Sequence, residues 1–423
     1  YTIEFTLGSA VENDAGELEE VIPNCVAQSD LNDIPVVPAH IFEEAFGDNY
    51  ESMDEDPYFA SPATFGVFTD PFFEPGVLVS MIADESYPDA ELGYVRPTEW
   101  VYQVVSDTNV AFQRFKNGEF TYMNVPSPEQ NETRESGEFQ LFEYASNGYN
   151  YMGYNLADPS NPQNGRAEDG SLIDQGLHPI FSDPLVRQAI AHAVDVDAMI
   201  GTAPNEETGQ AATGIFEGNA SRVAVHNHPA SWVDPGLEPY AFDPAAAAAL
   251  LEEAGWVDSD GDGVRECQDC LYAREVDPEF NGSPLEFELL TGAGSTVGEL
   301  VAQAIKEYLE DDTVGFSVDF QAIEFSTMLE QMGAQTYDAV LLAWNLGLPF
   351  DPDASPLIGI DADRVDSGFN AGSYQNPELE AIWEQAISVP GCDPETRADL
   401  YREAMQMLYE DPPYLWISYG NTM

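Results

Sequence analysis

Positive charge is what this sequence lacks most. Thirteen Lys and Arg stand against 77 Asp and Glu among 423 residues, a formal charge of −64, and lysine occurs only as Lys116 and Lys306. Such a surface repels phosphate backbones, which excludes nucleic acid as a partner. Self-repulsion opposes a compact state in dilute salt, whereas molar salt, with a Debye length of about 3 Å, removes most of it. The acids are interleaved with apolar runs along the whole chain rather than gathered in blocks. That pattern points to a salt-loving source rather than to a polyacidic docking surface.

Long apolar runs are also missing: none reaches the roughly 18–20 residues needed to span a bilayer. No signal peptide is legible. The chain opens on Tyr1 in what reads as mid-strand, YTIEFTL, so a piece of a longer precursor is expected. Cysteine is scarce, with Cys25, Cys267, Cys270 and Cys392. Cys267-x-x-Cys270 is half a zinc site by spacing, but no second pair completes it. It follows a Gly/Asp turn instead of opening a helix, so a local disulfide or two idle thiols are expected. His40, His178, His192, His226 and His228 show no metal-ligand spacing.

What is present is globular. Hydrophobic residues make up 43% of the chain, and the length suggests two domains. Residues 181–200, FSDPLVRQAIAHAVDVDAMI, carry a helix with its start written in. Ser182 or Asp183 caps it, Pro184 suits the first turn, and Leu185/Val186, Ala189/Ile190 and Ala193/Val194 form one buried stripe. Arg187, Gln188 and Asp195 fall off that stripe. In residues 240–256 Asp243 caps, Pro244 begins, alanines propagate and Gly255 terminates. Residues 285–344 read strand–helix–strand–helix–strand, an α/β unit with right-handed crossovers. Its last strand, YDAVLLAW, is expected to be buried on both faces. Ligands of such sheets sit beyond the carboxyl ends of the strands, here residues 291–295 and 345–353. Further helices start at Asn376-Pro377 and Asp393-Pro394, and residues 414–419 form a strand. Toward the amino end, residues 1–7 and 100–106 read as strands, 65–83 as paired strands, and Asp107 caps a helix. Residues 201–234 read as a loop.

Residues 258–263, DSDGDG, place Asp258, Asp260 and Asp262 at the 1-3-5 spacing of a calcium loop, with Asp269 at position 12. A bidentate Glu is preferred at that last position, so a metal-free turn is favoured over a calcium site.

Several phrases resemble one family. VRQAIAHAVDVDAMI is similar to its "VRQAI..A.D...I", YAFDPAAAAALLEEAGW to "YDP.KA..LL.EAGW", VVPAHI to "VP.HI", FKNGEF to "l.nGeiD", and YMGYN to "YLGFN". Residues 367–418 follow its closing segment nearly phrase by phrase. The family is the family 5 extracellular solute-binding proteins, the peptide- and nickel-binding group serving ABC importers. The resemblance runs from about residue 36 to the end and implies a two-lobe, periplasmic-binding-protein-like (type II) α/β fold with hinge strands. Residues 1–155 would be the remainder of lobe I, 156–412 lobe II, and 413–423 the return strand, with the opening part of lobe I absent. It implies an extracellular, surface-anchored lipoprotein, monomeric and without cofactor. Such a protein captures a small-molecule or oligopeptide solute in an interlobe cleft and delivers it to an ABC permease. Only an anchor outside the sequence would touch the membrane.

By family position the ligand residues are Trp344 and Asn345 at a strand end, Asp351 and Asp353 in the DPD turn, then Phe369, Asn370 and Tyr374. Tyr154, in the aromatic run, is placed at the cleft. The ordinary alternatives are core packing for the aromatics and helix capping for the aspartates. Two charged anchors of peptide-binding members are missing. No acid follows Trp344 until Asp351, and no base lies near the helix that opens at Thr296, although that helix start offers N–H groups to a carboxylate. Dipeptides therefore lose support, and bare nickel does so because no His pair or thiolate cluster sits in the candidate loops. A secreted hydrolase using Asp351 and Asp353, and a sensory receptor's ligand domain, are the competing readings.

Overall fold

The computed structural model describes residues 8–12, 18–27, 66–93, 96–201, 214–223, 225, 234, 236–346 and 351–423. The strand expected at 1–7, the segment 36–42 with His40, and His226 and His228 lie outside these residues. The chain divides into two compact units, one of Tyr1–Leu31 with Phe115–Met423 and one of Asn32–Arg114.

The hairpin β1 (Gly8–Glu12) and β2 (Leu18–Pro23) belongs to the first unit. The second unit holds β3 (Phe68–Glu74), β4 (Leu78–Ala83) and β5 (Glu99–Gln103), an antiparallel sheet in that order. Helix α1 (Thr108–Lys116) follows, its start held by Asp107 Oδ1, which accepts from Val110 N–H at 2.9 Å. Helices α2 (Ser127–Ser136), α6 (Leu271–Glu275) and α10 (Pro377–Ile387) belong to the first unit.

The rest of the first unit is built on one six-stranded sheet. Its members are β6 (Tyr144–Tyr154), β7 (Ala220–Arg222), β10 (Glu286–Gly292), β11 (Ser317–Ile323), β12 (Ala339–Trp344) and β13 (Tyr414–Thr422), ordered β11-β10-β12-β6-β13-β7. A small ladder of β8 (Trp256–Val257) and β9 (Glu266–Cys267) stands apart from it. β10, β11 and β12 are parallel, and β6 and β13 run antiparallel inside the sheet. The short β7 lies in the stretch expected to be loop, because its backbone groups complete the ladder of β13.

Side chains alternate across this sheet and so feed two cores. Met152, Tyr154, Leu415 and Ile417 pack on one side with the helices around residues 185–200 and 296–309. Tyr149, Tyr151, Tyr414 and Trp416 pack on the other with the closing helices.

The helix expected over 181–200 is two: α3 (Pro184–Ala193) and α4 (Val196–Ile200). Asp183 caps the first and Asp195 the second, each accepting a nearby backbone N–H. Asp195 therefore interrupts the helix, since its carboxylate competes as a cap. Arg187, read as off the stripe, is buried. Its guanidinium donates to Asp411 at 2.6 Å and to the Pro412 carbonyl at 2.9 Å, which pins α3 to the turn before β13. Helix α5 (Pro244–Glu253) starts at Asp243 as expected, the carboxylate accepting from Ala245 and Ala246 N–H. Cys267 and Cys270 form the local disulfide. Cys25 pairs with Cys392 across 367 residues, a link no spacing announced.

Candidate functional site

β10 and β12 are neighbours for only a short stretch. Their pairing covers Leu289↔Ala339 and Leu290↔Val340, and beyond it the strands part. The chain leaving β10 enters α7 (Thr296–Leu309) and returns as β11 on one side, whereas β12 lies on the other. This is the switch point at which open α/β sheets bind ligands.

A cavity of about 240 Å³ occupies the fork. Thr291 and Gly292 come from the end of β10, Val297 and Val301 from α7, and Leu341 to Ala343 from the far end of β12. Phe325 and Met328 of α8 (Phe325–Gly333) contribute one wall, and Asn150 with Tyr151 of β6 another. The fork explains why YDAVLLAW departs from expectation: Ala339 to Leu341 are buried, but Ala343, beyond the last pair with β10, is exposed. Residues 291–295 are thus beside the cavity, as the strand ends require.

One N–H at the start of α7, and one just before it, are taken by the chain's own side chains. Ser295 Oγ accepts from Gly298 N–H at 3.2 Å, and Glu299 Oε1 accepts from Gly294 N–H at 2.9 Å. A carboxylate seeking this helix start meets an acid there.

At the end of β12, Trp344 lies parallel to Tyr151 (centroids 6.4 Å apart, 11°) and edge-on to Phe369 (5.5 Å, 87°). Tyr151 stacks in turn on Tyr414 at 4.2 Å. Tyr151, not singled out by sequence, therefore joins the cavity to the aromatic row; the only prior sign of it was the aromatic run itself. Asn345 is exposed beside Trp344, and Phe369 is 62% exposed. Trp344 and Phe369 are in contact, with Asn345 next to Trp344 along the chain.

The other expected residues are held elsewhere. Tyr154 is buried against Phe181, 4.9 Å between ring centroids. Asn370 is buried and donates to the carbonyls of Ile358, Gly359 and Tyr374, while its Oδ1 accepts from Tyr374 N–H. Tyr374 is buried in the second core. Asp351 accepts from Arg397 of α11 (Pro394–Glu410) and from the Tyr401 hydroxyl, each at 2.7 Å. Helix α9 (Ser355–Ile358) begins just after Asp353, whose carboxylate takes both the N–H and hydroxyl of Ser355 at 3.0 Å. Burial raises the Asp353 carboxyl to about 6, against the pull of those hydrogen bonds. The two aspartates thus fasten the loop after β12 to α9 and α11.

A second buried carboxyl was not foreseen. Asp363 accepts from the side-chain amides of Gln175 (2.7 Å) and Gln335 (2.6 Å), with no cation paired to it among the described residues, and burial raises it to about 6. His178 Nδ1 accepts the N–H groups of Ile180 and Phe181, so Nε2 carries the proton and donates to Asp338 at 3.1 Å. Asp338 is half-buried, which works to raise its carboxyl, yet the hydrogen bond from His178 holds it below the usual range.

In the acidic turn, Asp258, Asp260 and Asp262 bring carboxylate oxygens within 4.8 Å of one another and of Glu266. Glu266, not Asp269, is the fourth member. Asp258 accepts from Gly261 and Gly263 N–H, as a turn alone requires.

No helix among the described residues is long and apolar enough to cross a membrane.

Residues 1–360 match the sequence profile of the bacterial extracellular solute-binding proteins, family 5 (middle). The oligopeptide-binding protein AppA of Bacillus subtilis is 23% identical over 325 residues, covering 76% of this chain and 50% of that protein. The chain thus spans about half the length of that relative. The structure of AppA in complex with a nonapeptide superposes with a TM-score of 0.73 at 22% identity, covering 94% of this chain and 68% of that one. NikZ of Campylobacter jejuni in complex with Ni(L-His) gives 0.71 at 20% identity, covering 95% and 69%. The two-lobe α/β fold expected from the resemblance is the fold of these neighbours. The chain belongs to the family 5 extracellular solute-binding proteins.

Proposed function

We propose that the protein captures a peptide-like or other polar solute outside the cell and hands it to an ABC import permease. The observation that carries this reading is the cavity at the strand fork, open at the carboxyl ends of β10 and β12, in a chain of this family. Trp344, Asn345 and Phe369 flank the solute. Asp351, Asp353, Asn370 and Tyr374 hold the loops that present them, and Tyr154 supports the sheet from below. The lobe boundaries at residues 155 and 412, monomeric state, lipid anchoring at the cell surface and adaptation to high salt belong to the same proposal. Binding is favoured over hydrolysis because Asp351 is engaged by Arg397 and Tyr401 and Asp353 by Ser355, which leaves neither poised as an acid–base pair.

The test is the melting temperature of the full-length protein in molar salt against oligopeptides, dipeptides, oligosaccharides and divalent metals. A solute at 100 times its Kd adds about 2.7 kcal/mol of stability. A shift with oligopeptides is expected. Turnover of one panel member without any shift would sink the proposal in favour of the hydrolase.

A further inference from the structure

The edge of the sheet opposite β11 holds two donors that the chain leaves unsatisfied. Arg222 Nε, at the end of β7, and Trp416 Nε1, on β13, are buried and have no hydrogen-bond partner among the described residues. Both residues line one small cavity, together with Ala191 of α3, Tyr409 of α11, Tyr240 and Pro412. We propose that this cavity is a binding site for a single halide ion, chloride in a chloride-rich medium. The site is separate from the fork and from the solute proposed there.

Trp416 is 6% exposed and the Arg222 side chain 13%, so bulk water does not serve these N–H groups. An indole N–H and a guanidinium N–H can only donate. The occupant must accept from both and needs no proton of its own. The other polar groups here are already engaged. Arg222 Nη1 donates to Asp197 and Nη2 to the Tyr240 carbonyl, each at 2.5 Å. The Tyr240 hydroxyl donates to the Tyr409 carbonyl at 2.7 Å, and the Pro412 carbonyl takes Arg187. A water molecule would accept twice yet bring two protons, and these three carbonyls each hold a donor already. An anion meets no such mismatch. A buried anion requires a cation and hydrogen bonds beside it, and Arg222 supplies both, as a charge-assisted donor. Size sets the occupant further. The volume of about 20 Å³ exceeds the roughly 10–15 Å³ that one water needs, and it admits one small body. Carboxylate, phosphate and sulfate are too large, which leaves a monoatomic anion. Asp197, on the same guanidinium, opposes it, so the site fills only at high halide concentration.

The experiment is X-ray diffraction at the bromine absorption edge from crystals of the full-length protein grown in molar KBr. Bromide stands in for chloride and gives an anomalous signal. A peak is expected in the cavity, within hydrogen-bond reach of Arg222 Nε and Trp416 Nε1. Trp416→Phe keeps an aromatic ring in the core and removes that N–H, and Arg222→Met removes the other donor with its charge. In each variant the peak is expected to vanish while bromide peaks elsewhere on the surface remain. Water density without a bromine signal in the unaltered protein overturns the site. So does a cavity peak that persists in either variant, since the ion is then held by something other than these two donors.

Discussion

Arg397 illustrates how a single residue decides what its neighbours are able to do. Its guanidinium donates to Asp351 and to the Ala386 carbonyl from a buried position. Removing one partner of a buried ion pair leaves the other uncompensated, at a cost of about 3–5 kcal/mol. Arg397→Met is expected to lose that much in urea denaturation, and Asp351→Asn in the same background to recover part of it. Asp363 makes the opposite argument, because no described residue gives it a cationic partner. Its folded carboxyl stands at about 6, above the roughly 3.9 of an unfolded Asp. Its contribution is therefore complete below pH about 4, lost as pH rises to about 6, and absent above that. The loss is on the order of 3 kcal/mol. Asp353 acts in the same window and direction. Melting temperatures from pH 4 to 7 in molar salt should fall through that window, and Asp363→Asn should remove part of the fall. An unchanged profile in the variant would refute the assignment.

Among the elements, β12 carries the site, and its end is held by a glycine on β6. A Cβ on Gly148 would collide with the Trp344 carbonyl oxygen and stand 2.8 Å from Asn345 Oδ1. Gly148→Ala must push the end of β12 away, with an expected loss of about 1–3 kcal/mol and weaker solute binding. Urea denaturation read beside calorimetry separates the two effects. The helices were legible because their signals are local. Asp183, Asp243, Asn376 and Asp393 each accept a backbone N–H within three residues. The break between α3 and α4 was missed, since Asp195 competes as a cap against a continuous apolar stripe. β7 was missed because three residues of ladder depend on a partner strand nearly 200 residues away.

At the scale of the whole molecule, two covalent links act over very different spans. Cys25–Cys392 closes 367 residues and Cys267–Cys270 closes three. Loop-closure entropy then predicts about 6 kcal/mol for the long link against about 2 kcal/mol for the short one. Cys392→Ser should lower the melting temperature well beyond Cys270→Ser, and equal drops would contradict the entropic account. The charge of −64 acts on every such measurement, and molar salt screens it.

By itself the sequence determined the alternation of strands and helices, the helix starts, the sheet ends at which a ligand site belongs, and the family. The elements and their ends follow from bonds and periodicities that reach only a few residues along the chain, and the family from the resemblance of whole phrases to its members. Tertiary structure alone decided which side chains are available. Asp351 is engaged by an arginine 46 residues away, and Arg187 by an aspartate 224 residues away. Tyr151 reaches the cavity while Tyr154 lies in the core, and the cavity exists because two paired strands part after two residue pairs. Burial and the partner that compensates it are set by contacts between distant segments, and no local pattern encodes them.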